Sequence, residues 1–163
     1  PKGNIGWSNS FAWKGLNLNV MFAARLGGSV VSNTEAFLDY YGVSERSAAA
    51  REAGGVRINN GMVDAQNYYQ TIGAGTGAGA YYIYDATNVR MQELSLAYTL
   101  PKRWFRQKMA MTVSLVGRNL WMLYNKAPFD PEVTASTSTY YQGVDFFMQP
   151  SVRTLGFSVK LQF

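Results

Sequence analysis

The chain contains no cysteine and no histidine, and charged residues make up only 15% of it. Without cysteine there is no disulfide frame and no thiolate nucleophile. Without histidine the commonest general base and the commonest metal ligand are gone. An empty cysteine count is compatible with an oxidising periplasm or cell surface. Long hydrophobic runs are missing too. No window approaches the ~18 apolar residues of a membrane-crossing helix, so contact with a membrane falls to strands. The chain opens on PKGNIGWSNS without a signal peptide, so a preceding N-terminal part is expected.

What the 163 residues do contain is aromatic side chains, at 15%. Gly, Asn, Ser, Thr and Gln dilute them, and mean hydropathy is slightly negative. The formal net charge is +5, but the excess is local. Lys102, Arg103, Arg106 and Lys108 crowd into residues 101–108, whereas residues 28–86 carry six acids against three arginines. Nucleic-acid binding needs a basic stripe along one face, which this is not. No nucleic acid, metal or cofactor is expected.

Period-two alternation, the mark of a strand with two unlike faces, recurs in five segments, at about 4–13, 16–27, 88–100, 109–124 and 152–163. In the second, Leu16, Leu18, Val20, Phe22, Ala24 and Leu26 share one side, opposite Asn17, Asn19 and Arg25. Lys14-Gly15 reads as a tight turn. In 88–100, Val89 and Met91 fall out of phase with Leu94, Leu96 and Tyr98, which places a bulge near Gln92–Glu93. A second bulge is expected at Gly117-Arg118-Asn119. Pro101 stops the third strand because it cannot donate to a ladder.

The connections are lopsided. Short turns join strands one to two and three to four, while residues 28–87 and 125–151 form long connections. Short turns at one end and long loops at the other are the asymmetry of outer-membrane barrels. Within the longer loop, Ser32-Asn33-Thr34-Glu35 reads as a capping box for a helix to about Tyr41. Ser44 caps a second helix that Gly54-Gly55 closes. GAGTGAGA (73–80) reads as a mobile loop, because it lacks the Lys and Ser/Thr of a phosphate cradle.

A soluble β-sandwich alternates as well, and both architectures remain open on alternation alone. Three features favour a membrane. The non-core face of strands two and five carries only Arg25 and Lys160 as charges. Aromatics sit near strand ends: Trp13, Trp104 and Phe105 by the short turns, Trp121 and Tyr124 by the last loop. Residues 155–163 extend ~30 Å at ~3.3 Å per residue, or ~23 Å along the normal at ~40° tilt, close to the ~25 Å apolar band. Five strands would leave two apolar edges, which lipid does not permit, so a larger barrel is implied.

YDATNVRMQELSLAYTLPKRWFRQ (84–107), VSLVGRNLWMLYNKAPFDPE (113–132) and GVDFFMQPSVRTLGFSVKLQF (143–163) resemble, in order and spacing, the C-terminus of SusC/RagA-type TonB-dependent transporters of the Bacteroidetes outer membrane. Upstream, NIGWSNSFAWKGLNLNVMF resembles an earlier hairpin of that family and NGMVDAQNYYQ an outer loop. The resemblance implies an all-β fold: an antiparallel transmembrane β-barrel segment of about five strands, the end of a barrel of roughly 22, with a long, partly helical extracellular loop. It implies import of oligosaccharides or peptides, energy relayed through TonB by a plug domain absent here, and a SusD-like lipoprotein as lid. Outer-membrane lipid and the barrel assembly machinery complete the implied partners.

Tyr81, Tyr82, Tyr140, Tyr141, Phe146 and Phe147 are candidates to line the substrate path, since rings stack on sugars and pack peptide side chains. Asp130, Glu132 and Asp145 raise paired-carboxylate glycan hydrolysis, although Asp130-Pro131-Glu132 is more simply a turn. Arg25 and Lys160 are expected to face the lumen. Phe157, Val159, Leu161 and Phe163 form an edge that reads as the assembly signal, recruiting a partner by strand addition. Deleting Phe163 is expected to lower outer-membrane assembly; unchanged yield and unchanged heat-modifiable mobility would contradict this.

Overall fold

Alternating strands bury one face and solvate the other, so a run of them in sequence specifies sheets first and loops second. The computed structural model describes residues 1–74, 79–105, 109–133, 135–136 and 138–162. In chain order its strands are β1 (Gly3–Trp13), β2 (Leu16–Leu26), β3 (Ser29–Ser32), β4 (Val56–Ile58), β5 (Gly61–Val63), β6 (Ile83–Asp85), β7 (Asn88–Leu100), β8 (Ala110–Asn125), β9 (Val144–Asp145) and β10 (Thr154–Gln162). The helices are α1 (Asn33–Tyr40), α2 (Glu45–Glu52) and α3 (Ala65–Gly73). Two compact units divide the chain: Pro1–Gly28, Ala86–Asp130 and Pro150–Phe163 form one, Ser29–Asp85 and Pro131–Gln149 the other.

The first unit is a single antiparallel sheet in the order β1-β2-β7-β8-β10. Its strands match the five expected segments to within about two residues. Lys14 and Gly15 both have positive φ, at 46° and 88°. That is the primed two-residue hairpin turn, whose twist suits the flanking strands. A Cβ on Gly15 would stand 2.9 Å from the Thr99 carbonyl oxygen, so glycine is required there.

Cross-strand register places the apolar side chains in rows. Trp13, Leu16, Tyr98, Val113 and Val159 are successive partners across the sheet, as are Phe11, Leu18, Leu96, Leu115 and Phe157. The register slips where expected: Met21 pairs with Glu93 but Phe22 with Met91, leaving Gln92 as the extra residue. The slip keeps Met91 and Val89 on the apolar face opposite Phe22 and Ala24. The second expected bulge is also present, as Asn119 turns to φ 50° between the Arg118 and Trp121 pairings. A further slip at Val89/Arg90 was not foreseen.

The opposite face is a polar ladder. Ser10 donates to Asn19, Asn19 donates to Ser95 at 3.1 Å, and Thr99 shares a 3.0 Å hydrogen bond with Thr112. Ser114 and Ser158 share one at 2.9 Å, and Arg118 donates to Glu93 at 3.0 Å. Near the slip, Arg90 and Asp130 form a buried ion pair at 2.8 Å. Arg90 also reaches Ser151, whose backbone N–H donates to Asp130, so the ends of the β8–β10 connection are tied to β7.

The second unit is built from the two long connections. β3 pairs antiparallel with β6 and parallel with β9, a three-stranded sheet that alternation alone did not indicate. Ser32 caps α1 by accepting from Glu35 N–H, as expected, but only half of the capping box forms because the Glu35 carboxylate takes Arg46 instead. Ser44 caps α2, and Gly54 closes it with φ 80°. The third helix was not expected. Asp64 caps it, Ala65 and Tyr69 bury one side, and a Cβ on Gly73 would lie 2.6 Å from the Ala36 carbonyl oxygen.

Asp39 organises this unit. It is fully buried and accepts from Ser44 Oγ at 2.6 Å, Arg46 Nε at 2.8 Å and Tyr82 Oη at 2.8 Å. Burial opposes the charge on Arg46, yet hydrogen bonds and charge attraction from Asp39 and Tyr84 together outweigh it and leave the guanidinium more basic than usual. Burial, then the same carboxylate, raises the Tyr82 phenol well above its ordinary value. A buried charge with three good donors is tolerated; stripped of them it is costly.

Two outcomes follow from these constraints. Deleting Gln92 should preserve folded yield, because Met91 then alternates normally with Glu93, whereas deleting Ser95 reverses faces along β7 and should abolish it. The comparison is the heat-modifiable fraction of the full-length protein. The second outcome concerns alkali. Tyr82 titrates higher folded than unfolded, so its contribution is fully present below pH ~10 and lost as pH rises above it. Tyr82→Phe should cost about 1 kcal/mol at neutral pH and flatten that alkaline loss, followed by hydrogen exchange of α1 and α2.

Candidate functional site

Two surfaces carry the functional candidates, one in each unit. On the sheet, Arg25 and Lys160 both occupy the polar face: Arg25 lies across from Asn4 and Asn88, and Lys160 from Thr112. Phe157, Val159 and Leu161 project from the opposite, apolar face of β10, an outer strand of the sheet, and Phe157 is 69% exposed. Phe163 lies outside the described residues.

Four of the five candidate interface aromatics are exposed. Trp13 is 69% exposed and Trp104 65% exposed, while Phe105 is half-buried. Trp121 and Tyr124 are exposed at the other end of the sheet. Trp121 continues a row that sequence reasoning did not assemble, Trp7–Phe22–Met91–Trp121, in which the Trp7 and Phe22 rings stack at 5.5 Å. The signal was there in the alternation of β1. Only the register across three strand pairs aligns it.

Between β7, β8 and β10 the apolar face also holds a shallow groove of about 360 Å³ along Leu94, Leu96, Leu115, Leu120 and Leu155, with almost no polar lining. Among the described residues no helix is long and apolar enough to cross a membrane. Strands are a separate matter, and these have one face suited to hydrocarbon.

In the second unit the six candidate rings divide. Tyr82 is only 2% exposed and its hydroxyl is committed to Asp39, so it is a core residue rather than a path-lining one. The reason is its position: it follows the third helix and turns inward against Arg46, whose guanidinium lies 5.4 Å from its ring. Tyr81 points the other way and is exposed, as is Tyr141. The side chain of Tyr140 lies outside the described residues. Burial followed by the neighbouring Tyr81 raises the Tyr68 phenol, so Tyr68 stays a protonated hydrogen-bonding group at neutral pH.

Phe146 and Phe147 gather with a ring that sequence reasoning missed, Phe37 of α1. Phe37 meets Phe146 edge-on at 5.8 Å and Phe147 at 5.9 Å, and Tyr41 stacks beyond it at 6.4 Å. Phe147 adopts φ 50°, unusual for an aromatic residue, and its N–H donates to Thr34 Oγ1 at 2.7 Å. The i,i+4 spacing of Phe37 and Tyr41 was the available clue. The nearby cleft between the three helices measures about 140 Å³, below the ~300 Å³ at which ligand pockets begin.

The acidic residues raised for hydrolysis have structural employment. Asp130 pairs with Arg90, Asp145 accepts from Ser32 Oγ at 2.6 Å, and Glu132 is exposed. Among the described residues no cluster of acids could hold a metal ion.

An open antiparallel sheet with one apolar and one polar face, long connections leaving one end and short turns the other, has the architecture of a β-barrel segment. Comparison with solved structures gives the particular architecture. The chain is similar to the RagAB peptide importer in its open-open state, at TM-score 0.71 and 20% identity, over 98% of this chain and 17% of that one. A second structure of the RagAB peptide transporter matches at TM-score 0.54 and 20% identity, over 75% and 14%. Along its full length the chain is 24% identical to part of TonB-dependent receptor P3 of Formosa agariphila, covering 16% of that protein. No family model matches. The chain thus has the fold of a segment of a TonB-dependent receptor barrel, and it spans about one-sixth of the length of these relatives.

Proposed function

We propose that this segment is part of an outer-membrane active importer of oligosaccharides or peptides, energised through TonB and working with a SusD-like surface lipoprotein. In this reading the face bearing Leu18, Leu96, Leu115 and Phe157 meets lipid, the Ser10–Asn19–Ser95 ladder lines the lumen, and residues 28–87 and 125–151 are extracellular loops. The observation that carries it is the exposure of large apolar side chains, Phe11, Leu96, Leu115 and Phe157 in one row, on a sheet whose other face is internally hydrogen-bonded. Water would penalise such a surface at ~25 cal/mol per Å², whereas hydrocarbon does not.

Peptide transport is the activity named for RagAB, and the exposed Phe37–Phe146–Phe147 cluster is of the kind that packs apolar peptide side chains. Tyr81 and Tyr141 add rings able to stack on sugars. Catalysis forms no part of the proposal. The edge of β10, with Phe157, Val159 and Leu161, would serve assembly by accepting another strand of the same barrel.

The native absence of cysteine in this segment makes a direct test simple. Single cysteines at Leu96, Leu115 and Phe157 of the full-length protein should react with lipid-soluble labels, and those at Ser95, Ser114 and Ser158 with water-soluble ones. Uniform water access would exclude the membrane reading. Deleting the gene should abolish TonB-dependent uptake of its oligomer, and affinity purification should recover a surface lipoprotein. Uptake that survives deletion would refute the importer role.

A further inference from the structure

The cations of the polar face are not treated alike. Arg118 is paired with Glu93, and Arg90 with Asp130. Arg25 has no ion-pair partner among the described residues, and its Nε is buried with no hydrogen-bond acceptor. No other buried side-chain nitrogen or oxygen of the described residues is orphaned in this way.

An unpaired buried donor costs about 1–3 kcal/mol, more when it belongs to a charged group, and native structures keep few of them. Of the two residues directly across from Arg25, Asn4 and Asn88, the second is already engaged. Asn88, directly across from Arg25, donates to the Ala86 carbonyl at 3.1 Å and accepts from Arg90 Nε at 3.5 Å. Arg90 sits diagonally from Arg25, because it pairs with Ala23 two residues back. Its own carboxylate, Asp130, is held by Arg90 through Oδ1 and by Ser151 N–H through Oδ2. Arg25 and Arg90 are therefore neighbours in register, the Asp130 carboxylate is taken by Arg90, and the local excess is positive.

Such a place takes an anion in preference to a neutral hydroxyl. A guanidinium offers five donors in a planar fork that matches a carboxylate in two parallel hydrogen bonds. Arg25 lies at the end of β2 from which the long connection departs, the end that the importer reading places toward the outside. We propose that Arg25 is a carboxylate-binding residue of the lumen wall and that the imported oligomer carries acidic groups, from acidic peptide side chains or from uronate sugars. This rests on the importer reading and deepens it.

The test uses the full-length transporter with its lipoprotein partner in detergent, and equilibrium binding of four probes. These are a Glu-rich heptapeptide and its Gln counterpart, and an oligogalacturonate and its methyl ester. The wild type should prefer at least one acidic probe over its neutral counterpart, and the arm that responds names the source. Arg25→Gln should weaken that probe about tenfold, equivalent to ~1.4 kcal/mol, and leave the neutral one unchanged. Arg25→Met, which keeps the aliphatic stem, should do the same, and Arg25→Lys should recover part of the loss. Equal weakening of acidic and neutral probes would assign Arg25 a merely structural role and overturn the proposal. Neutral probes bound as tightly as acidic ones by the wild type would overturn it while sparing the importer reading. A wild type that binds none of the four would count against both.

Discussion

Every strand of the five-stranded sheet must satisfy its backbone hydrogen bonds sideways while presenting incompatible surfaces above and below. Register is therefore the governing constraint, since a slip of one residue exchanges the two faces. The chain meets it with local irregularities rather than uniform strands. Gln92 bulges so that Val89 and Met91 rejoin the apolar face, and Asn119 turns to positive φ where β8 faces that bulge. The rows Trp7–Phe22–Met91–Trp121 and Phe11–Leu18–Leu96–Leu115–Phe157 exist because these slips are placed where they are.

The two units solve different problems with different interactions. The sheet has little conventional core. Its stability comes from the ladder, from polar cross-strand pairs on one face, and from whatever apolar medium covers the other. The helical unit has its own small centre, a buried carboxylate with three donors. Asp39 draws α1, the turn before α2, and Tyr82 together, while Ser32 and Asp145 fasten β3 to β9. In that unit polar networks specify geometry, and the rings Phe37, Phe146 and Phe147 cluster at the surface.

The polar face adds a functional tone to the architecture. Hydroxyls and amides predominate there, hydrogen-bonded across the strands. Against that background the pairing of Arg90 and Arg118 and the solitary state of Arg25 are informative, because charge is used sparingly and mostly neutralised.

The alternation of Leu16 to Leu26, the Lys14-Gly15 turn and the bulge at Gln92 were legible in sequence because each is a local property of a strand or a two-residue turn. Ser32 and Ser44 announced their helices for the same reason. The third helix escaped notice, since its cap, Asp64, precedes a polar and aromatic stretch whose apolar spacing, Ala65, Tyr69 and Ile72, is sparse. Tyr82 looked like its neighbour Tyr81; only the fold decided that one ring would be buried on Asp39 and the other exposed. The parallel pairing of β3 with β9 joins residues more than 110 positions apart, and no local pattern encodes a partner at that distance. By itself the sequence determined which side chains share a face, because backbone geometry imposes period two. Which rows align, which ring is buried and which arginine is left unpaired were decided by register and packing, which depend on every strand at once.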